Sequence, residues 1–301
     1  MNKIKSILVP VDFSAISANT FQYALRFADR IDARIYLLFA IPPSTASPGY
    51  GSFVNSLRIR IEDDAKKDMT DFYLDGLAAA APDLRNTPVV DTLIAVSYLQ
   101  SAIHHHVKHK DVQLVIMGTN GRQDAWDDLL GTNTSSLVAK LPCPVLIVPN
   151  GVSYTPIQHL CYATNLTDPI IFQAGHLQRI LRAFNPVMHF LHVKRPGIKG
   201  IAVFDLDSLI DIFESPEAAG LHTFESVEGK DVVDALFEYA DEHNYDLVVM
   251  NRPKKDFLTR LFDGSNTKQA AFRATLPLLI IRPSDLRSVA NLASQEAAAS
   301  T

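Results

Sequence analysis

Residues 115–149 read VIMGTNGRQDAWDDLLGTNTSSLVAKLPCPVLIVP. The stretch opens on the apolar run Leu114–Met117, which has the length and composition of a buried strand. Gly118 and Gly121 follow, then, after nine residues, Gly131 and Thr132 at the head of a helical pattern. A second apolar strand, Val145–Val148, closes the unit. Strand, glycine loop, helix, strand is the layout of a phosphate cradle. Glycine lets the backbone turn tightly and approach an anion. A helix start at Thr132 adds free N–H groups and the positive end of the helix dipole.

Working outward, the same alternation extends to the first residue. Ser6–Val11 (SILVPV) is an apolar strand ending in Asp12-Phe13-Ser14. Phe21, Ala24, Leu25 and Ala28 then share one helical face, with Ser14 or Ser17 as the cap. Arg34–Ala40 is a second strand, and the prolines and glycines of 41–55 predict a loop. A long helix over Val54–Ala79, a strand near Pro88–Ile94 and a helix over Tyr98–Val107 lead back to the cradle. Repeated βα units imply a mostly parallel sheet with helices on both faces.

The second half repeats the first. Strands are expected at His159–Ala163, Val187–Val193, Leu247–Met250 and Leu278–Ile281, with a helix over Asp231–Asp241. CPVLIVP (143–149) matches LPLLIIRP (276–283), and SILVPVDFS (6–14) matches HLCYATNLT (159–167), so the chain reads as a tandem duplication. The first domain is set at 1–150 and the second at 151–287, divided by the polar stretch Asn150–Pro156, with a frayed tail over 288–301. Residues 194–218 stand in for the long helix, with a short helix expected over Asp205–Phe213.

Composition narrows the classes. The 301 residues suggest roughly two domains. A net charge of −5 gives no nucleic-acid-binding face. Two cysteines, Cys143 and Cys161, make no disulfide framework and read as small buried hydrophobes. No signal peptide or membrane-spanning run is evident, which makes a soluble cytoplasmic protein the expectation. There is no P-loop, no G-x-S-x-G elbow, no H-E-x-x-H and no dinucleotide fingerprint after the first strand. Of the histidines, His104, His105, His106 and His109 are expected on a solvated helix face, and His189 and His192 on opposite faces of a strand.

In an open parallel sheet, ligands sit beyond the carboxyl ends of the strands where strand order reverses. Asp12 and the cradle both stand at such ends. A carboxylate there suits a ribose or a base; the plainer alternative is a helix-capping Asp beside ordinary turn glycines.

The spacing G-x2-G-x9-G-T (Gly118, Gly121, Gly131, Thr132), Asp12 in VPVDFS and the closing CPVLIVP together resemble the universal stress protein family in its tandem form. The resemblance covers nearly the whole chain. It implies a Rossmann-like α/β fold of the adenine-nucleotide α-hydrolase type, two repeated open parallel five-stranded sheets flanked by helices. It implies ATP, or AMP or ADP, in the first unit, with Mg2+ as an optional companion. Val11 and Asp12 would hold adenine or ribose and Ala40 would line the adenine side. Met117, Gly118, Gly121, Arg122, Gly131, Thr132, Asn133 and Thr134 would wrap ribose and phosphates. The insert departs in tone, since Asp124, Asp127 and Asp128 would repel a triphosphate unless a cation intervened. They are expected to face solvent, with Trp126, Leu129 and Leu130 turned inward.

The second unit breaks the motif. Asn165 stands for Asp12, and Asn251 and Lys254 stand for the two loop glycines, while Gly264-Ser265 survives. Pro253 stiffens the turn. The unit is either a structural or dimerising partner or a site for another anion built on Arg252, Lys254, Gly264 and Ser265. The functions in play are an ATP-binding stress regulator with an unidentified protein partner, a slow ATPase lacking an evident general base, or an interaction module that binds no nucleotide. In the family the closing strand pairs across subunits, so a homodimer of the tandem chain is expected, or Pro144–Val148 pairs with Pro277–Ile281 of the same chain.

Overall fold

The computed structural model describes residues 4–43, 51–119, 138, 140–164, 183–196, 222–251 and 276–281. Its ten strands form one sheet in the order β3-β2-β1-β4-β5-β10-β9-β6-β7-β8. The first half supplies β1 (Ser6–Val11), β2 (Arg34–Ile41), β3 (Val90–Val96), β4 (Leu114–Thr119) and β5 (Val145–Pro149). The second supplies β6 (His159–Thr164), β7 (Val187–Lys194), β8 (His222–Glu228), β9 (Leu247–Asn251) and β10 (Leu278–Ile281). Within each half every described pairing is parallel. The halves meet at one antiparallel pair, with Leu279 opposite Leu146. The expected alternative of an in-chain partner for the closing strand is what β5 and β10 adopt. Because that pair is antiparallel, the carboxyl ends of the two halves' strands lie on opposite edges of the sheet.

The inner strands bury both faces, which is why they read as continuous apolar runs. Ile7, Val9 and Val11 point into one core with Ile116 and the helix residues Phe21, Leu25 and Phe27. Leu8, Val115 and Ile147 point into the other, with Ile103, Leu236 and Phe237. The helices are α1 (Ala15–Ile31), α2 (Gly51–Ala80), α3 (Leu99–His109) and α4 (Val232–Glu242), with a 3-10 turn at Ala81–Asp83. Helix α1 starts on Ser14, whose Oγ accepts from Ser17 N, and ends where Asp32 turns left-handed at φ 53°. Gly76 of α2 packs on Phe21; a Cβ there would come within 2.7 Å of the ring Cε1. That contact sets how closely α2 lies on α1.

One buried carboxylate ties α1 to the segment that enters β3. Asp29 is 7% exposed and accepts from Arg85 N at 3.0 Å and Asn86 N at 3.1 Å. The Arg85 Nε also donates to it, at 3.2 Å. Without those donors the buried charge would be costly.

Three expectations shift. Helix α2 begins at Gly51, inside the stretch expected as a loop, and β3 runs two residues later than expected, over Val90–Val96. Strand β8 (HTFESVE) was assigned to no element from the sequence. It is an edge strand, with Thr223 and Ser226 exposed and Phe224 half-buried, so its apolar signal is weak. The expected helix over 205–213, the tail 288–301 and the insert 122–130 lie outside the described residues.

Candidate functional site

Strand order in the first half reverses between β1 and β4. Strand β1 pairs with β2 along its full length, Ser6 to Val11. Its pairing with β4 is recorded at Ile7↔Leu114 and Leu8↔Val115. Continuing that register sets Val11 level with Gly118, beyond the last paired residues. Pro10, which has no N–H, cannot continue that ladder. The carboxyl ends of β1 and β4 flank the point where strand order reverses, which is where α/β sheets take their ligands.

Asp12 stands at this point, half-buried. Its Oδ1 accepts from Ser14 N at 3.0 Å and Ser14 Oγ at 2.6 Å, and also from Ser17 Oγ. Its own N–H donates to Ser17 Oγ at 3.1 Å. Asp12 thus braces the start of α1, as the plainer alternative has it. Oδ2 takes part in none of these bonds.

The brace fixes an unusual backbone between its two ends. Phe13 has φ 65°, the left-handed region. That conformation costs a non-glycine residue roughly 1–2 kcal/mol. The Asp12–Ser14 bonds span it, and the Phe13 ring packs 4.4 Å from Phe39 and 5.6 Å from Phe72. In the sequence, the D-F-S triplet at a strand end is the one signal of this role of Phe13.

Gly118 closes the other side. A Cβ on it would meet Thr20 Oγ1, and would lie 2.8 Å from Ile16 Cγ2, nearer than real Cβ atoms come. Glycine is needed here because α1 lies against β4, a reason independent of any phosphate. Val11 and Met117 are buried, at 4% and 2% exposure, on opposite faces of the sheet, and Ala40 is half-buried at the end of β2. Thr119 O accepts from Asn150 N at 2.9 Å, and Asn19 Nδ2 donates to Val152 O at 3.2 Å. These bonds hold the exit of β5 beside the first turns of α1.

Val11, Asp12, Ala40, Met117 and Gly118 are thus brought to the carboxyl ends of three adjacent strands. Gly121, Arg122, Gly131, Thr132, Asn133 and Thr134 lie outside the described residues, as do Arg252, Lys254, Gly264 and Ser265.

In the second half, Ala163↔Met250 sets Thr164 level with Asn251. Asn251 therefore occupies the place of Gly118. Its Oδ1 is buried with no hydrogen-bond donor among the described residues. Thr164 O accepts from His192 Nδ1 at 3.0 Å.

The histidines separate into distinct settings. His105 and His109 are exposed, with rings stacked at 4.2 Å, and His109 Nδ1 bonds His105 O at 2.7 Å. His106 departs from the expected solvated face: it is half-buried, its Nδ1 has no hydrogen-bond partner among the described residues, and burial, then His105, holds its pKa below the usual value. His189 and His192 do face opposite sides of β7. A pairing not foreseen joins His189 Nε2 to His159 Nδ1 at 3.2 Å, while His189 Nδ1 bonds Thr223 Oγ1 at 2.8 Å. Burial and the two neighbouring imidazoles of His159 and His243 lower the His189 pKa. Among the described residues no three His, Cys, Asp or Glu side chains gather around one point. Both cysteines are buried and neither is in a disulfide, and burial with Glu225 pushes the Cys161 thiol up to about 12. No described helix is long and apolar enough to cross a membrane.

Comparison with known proteins agrees with this architecture. A universal stress protein of Methanocaldococcus jannaschii is 24% identical over 152 residues, covering 49% of this chain and 83% of that protein. One from Thermus aquaticus is 28% identical over 144 residues, covering 48% of this chain and 98% of its own length. The crystal structure of a universal stress protein from Archaeoglobus fulgidus superposes with a TM-score of 0.62 at 16% identity, covering 92% of this chain and 98% of the other. That likeness speaks for the fold. The profile of the universal stress protein family matches twice, over residues 3–149 and 174–282. The chain belongs to the universal stress protein family.

Proposed function

We propose that this chain is a nucleotide-binding stress regulator that holds ATP, or AMP or ADP, in the crevice between β1 and β4. One observation carries the reading: strand order reverses between β1 and β4, and Asp12 and Gly118 stand at the carboxyl ends of these two strands. Asp12 Oδ2 accepts from a ribose hydroxyl or the adenine amino group. The glycine loop and the helix start at Thr132, by resemblance, take the phosphates, with Mg2+ between them and the acidic insert where a triphosphate is bound. The first unit is set at 1–150 and the second at 151–287. Their junction is a turn in which Val152 N bonds Pro149 O at 3.1 Å and Gly151 takes φ 78°.

The second unit is the structural partner in this reading. Asn251 fills the place where the first unit has Gly118, so backbone cannot approach a phosphate there as closely. The edge of β5 is filled by β10 of the same chain, so two tandem chains associate through another surface. Sedimentation at high concentration tests that association: a dimer is expected, and a strict monomer counts against it. The protein acts as a switch rather than as an efficient ATPase, because no described group at the crevice is placed as a general base for water. A ligand shifts a conformational equilibrium only through differential affinity, so the partner-facing change lies next to the crevice.

The test is to denature the purified protein and assay the supernatant for nucleotide, then to measure the thermal shift on adding ATP and magnesium to the stripped protein. Released adenine nucleotide or a clear upward shift is expected. Neither result would leave an interaction module without nucleotide as the better reading. Steady release of ADP, abolished by Gly131→Val, would favour the enzyme.

A further inference from the structure

On the sheet edge opposite Asp12, at the amino ends of β4 and β5, lies a cavity of about 590 Å3. Helix α3 supplies His104, His105 and Lys108 to its wall, and Val107, Val112 and Cys143 also line it. His105 and Lys108 are exposed and His104 half-exposed, whereas the three apolar residues are 5–7% exposed. The cavity thus has a basic mouth and an apolar floor. No Asp or Glu among the described residues lines it, although the chain carries a net charge of −5.

We propose that this cavity binds a small amphipathic anion, a carboxylate or phosphate monoester on a short apolar chain. The volume lies within the range of small-molecule sites, roughly 300–1,000 Å3. The head group meets Lys108 and the two imidazoles, and the chain covers Val107, Val112 and Cys143. A helix C-terminus ordinarily disfavours an anion. Here Lys108 itself stands in the last turn of α3 and sets a positive charge at the mouth. The rival account of the same basic residues is that they only offset the helix dipole, and it predicts no preference for an anionic ligand. The inference does not depend on a nucleotide at the opposite edge.

Calorimetry on the full chain with octanoate, octyl phosphate, octanamide and octylammonium tests it. Binding of one or both anions is expected, at least about tenfold tighter than octanamide or octylammonium. Octanoate against octyl phosphate distinguishes a carboxylate from a phosphate ligand. The double variant Lys108→Gln/His105→Gln changes two exposed side chains, so folding is kept, and it should erase the preference for the anions. Location is read from the histidine ring signals in NMR: the bound anion should shift those of His104 and His105 and leave those of His159 and His189 in place. No binding of either anion at several millimolar, equal affinity for all four probes, or a double variant that binds as well as the parent would overturn the proposal.

Discussion

Thr20 of α1 lies so close over Gly118 of β4 that no side chain fits between them. Thr20 is itself fixed, since its Oγ1 donates to Ile16 O at 2.8 Å and it is fully buried. Neither partner can retreat without lifting α1 from the sheet. Gly118→Ala should therefore destabilise the fold by about 1–3 kcal/mol, the usual cost of overpacking. Chemical denaturation gives the value directly. A variant as stable as the parent would mean that α1 does not press on β4 as described.

Removing Asp12 should act on stability and on ligand separately. Asp12→Ala releases three donors at the start of α1 and frees Phe13 from its left-handed conformation. A loss of about 1 kcal/mol is expected, typical of a lost cap. Asp12→Asn keeps an Oδ1 acceptor and should lose less. If Asp12 also holds a nucleotide through Oδ2, both variants weaken ATP binding, whatever their stability. Unchanged ATP affinity in a folded Asp12→Asn protein would confine Asp12 to bracing the helix.

Asp29 offers a control far from the crevice. Asp29→Ala leaves the N–H groups of Arg85 and Asn86 without their buried carboxylate acceptor. Hydrogen bonds to a charged group contribute about 1.5–3 kcal/mol each where buried and less beside water, so a loss of about 1–3 kcal/mol in all is expected, with ligand affinity left alone. A melting temperature close to the parent's would show that the tie between α1 and the entry to β3 is dispensable.

The two depressed histidines give stability a pH dependence of defined sign. His106 and His189 both lie below the ordinary value of 6.5 in the folded chain, chiefly through burial. In the unfolded chain they return to it, so below that value the unfolded state binds more protons. Their contribution is fully present above about pH 6.5 and is lost as pH falls through the depressed values. Denaturant midpoints at about pH 7.5 and about pH 5 should differ less in His106→Gln/His189→Gln than in the parent, since carboxylate titrations are common to both proteins. An identical pH slope in the two proteins would contradict the assignment.

Much of the fold could be read from the chain because inner parallel strands are continuous apolar runs. Ser6–Val11 and Leu278–Ile281 have the same bounds in sequence and structure. The pairing of the closing strands was also foreseeable, as one of two alternatives, because each half left an apolar edge. Strand β8 escaped for the converse reason: at an edge, half its side chains meet water and the pattern fades. The start of α2 at Gly51 was hidden because a glycine marks a turn more often than the beginning of a helix. The crevice was legible in outline from Asp12, Gly118 and the order of elements. What holds it together was not. The contact of Gly118 with Thr20 joins residues distant in sequence and the left-handed Phe13 depends on a dihedral, and neither has a periodicity to betray it.

The central claim is that one half of the molecule holds an adenine nucleotide and the other does not. Equilibrium dialysis of stripped protein against ATP with magnesium tests it by stoichiometry. One nucleotide per chain, weakened by Asp12→Asn, is the result expected. No bound nucleotide, or two per chain, would contradict it.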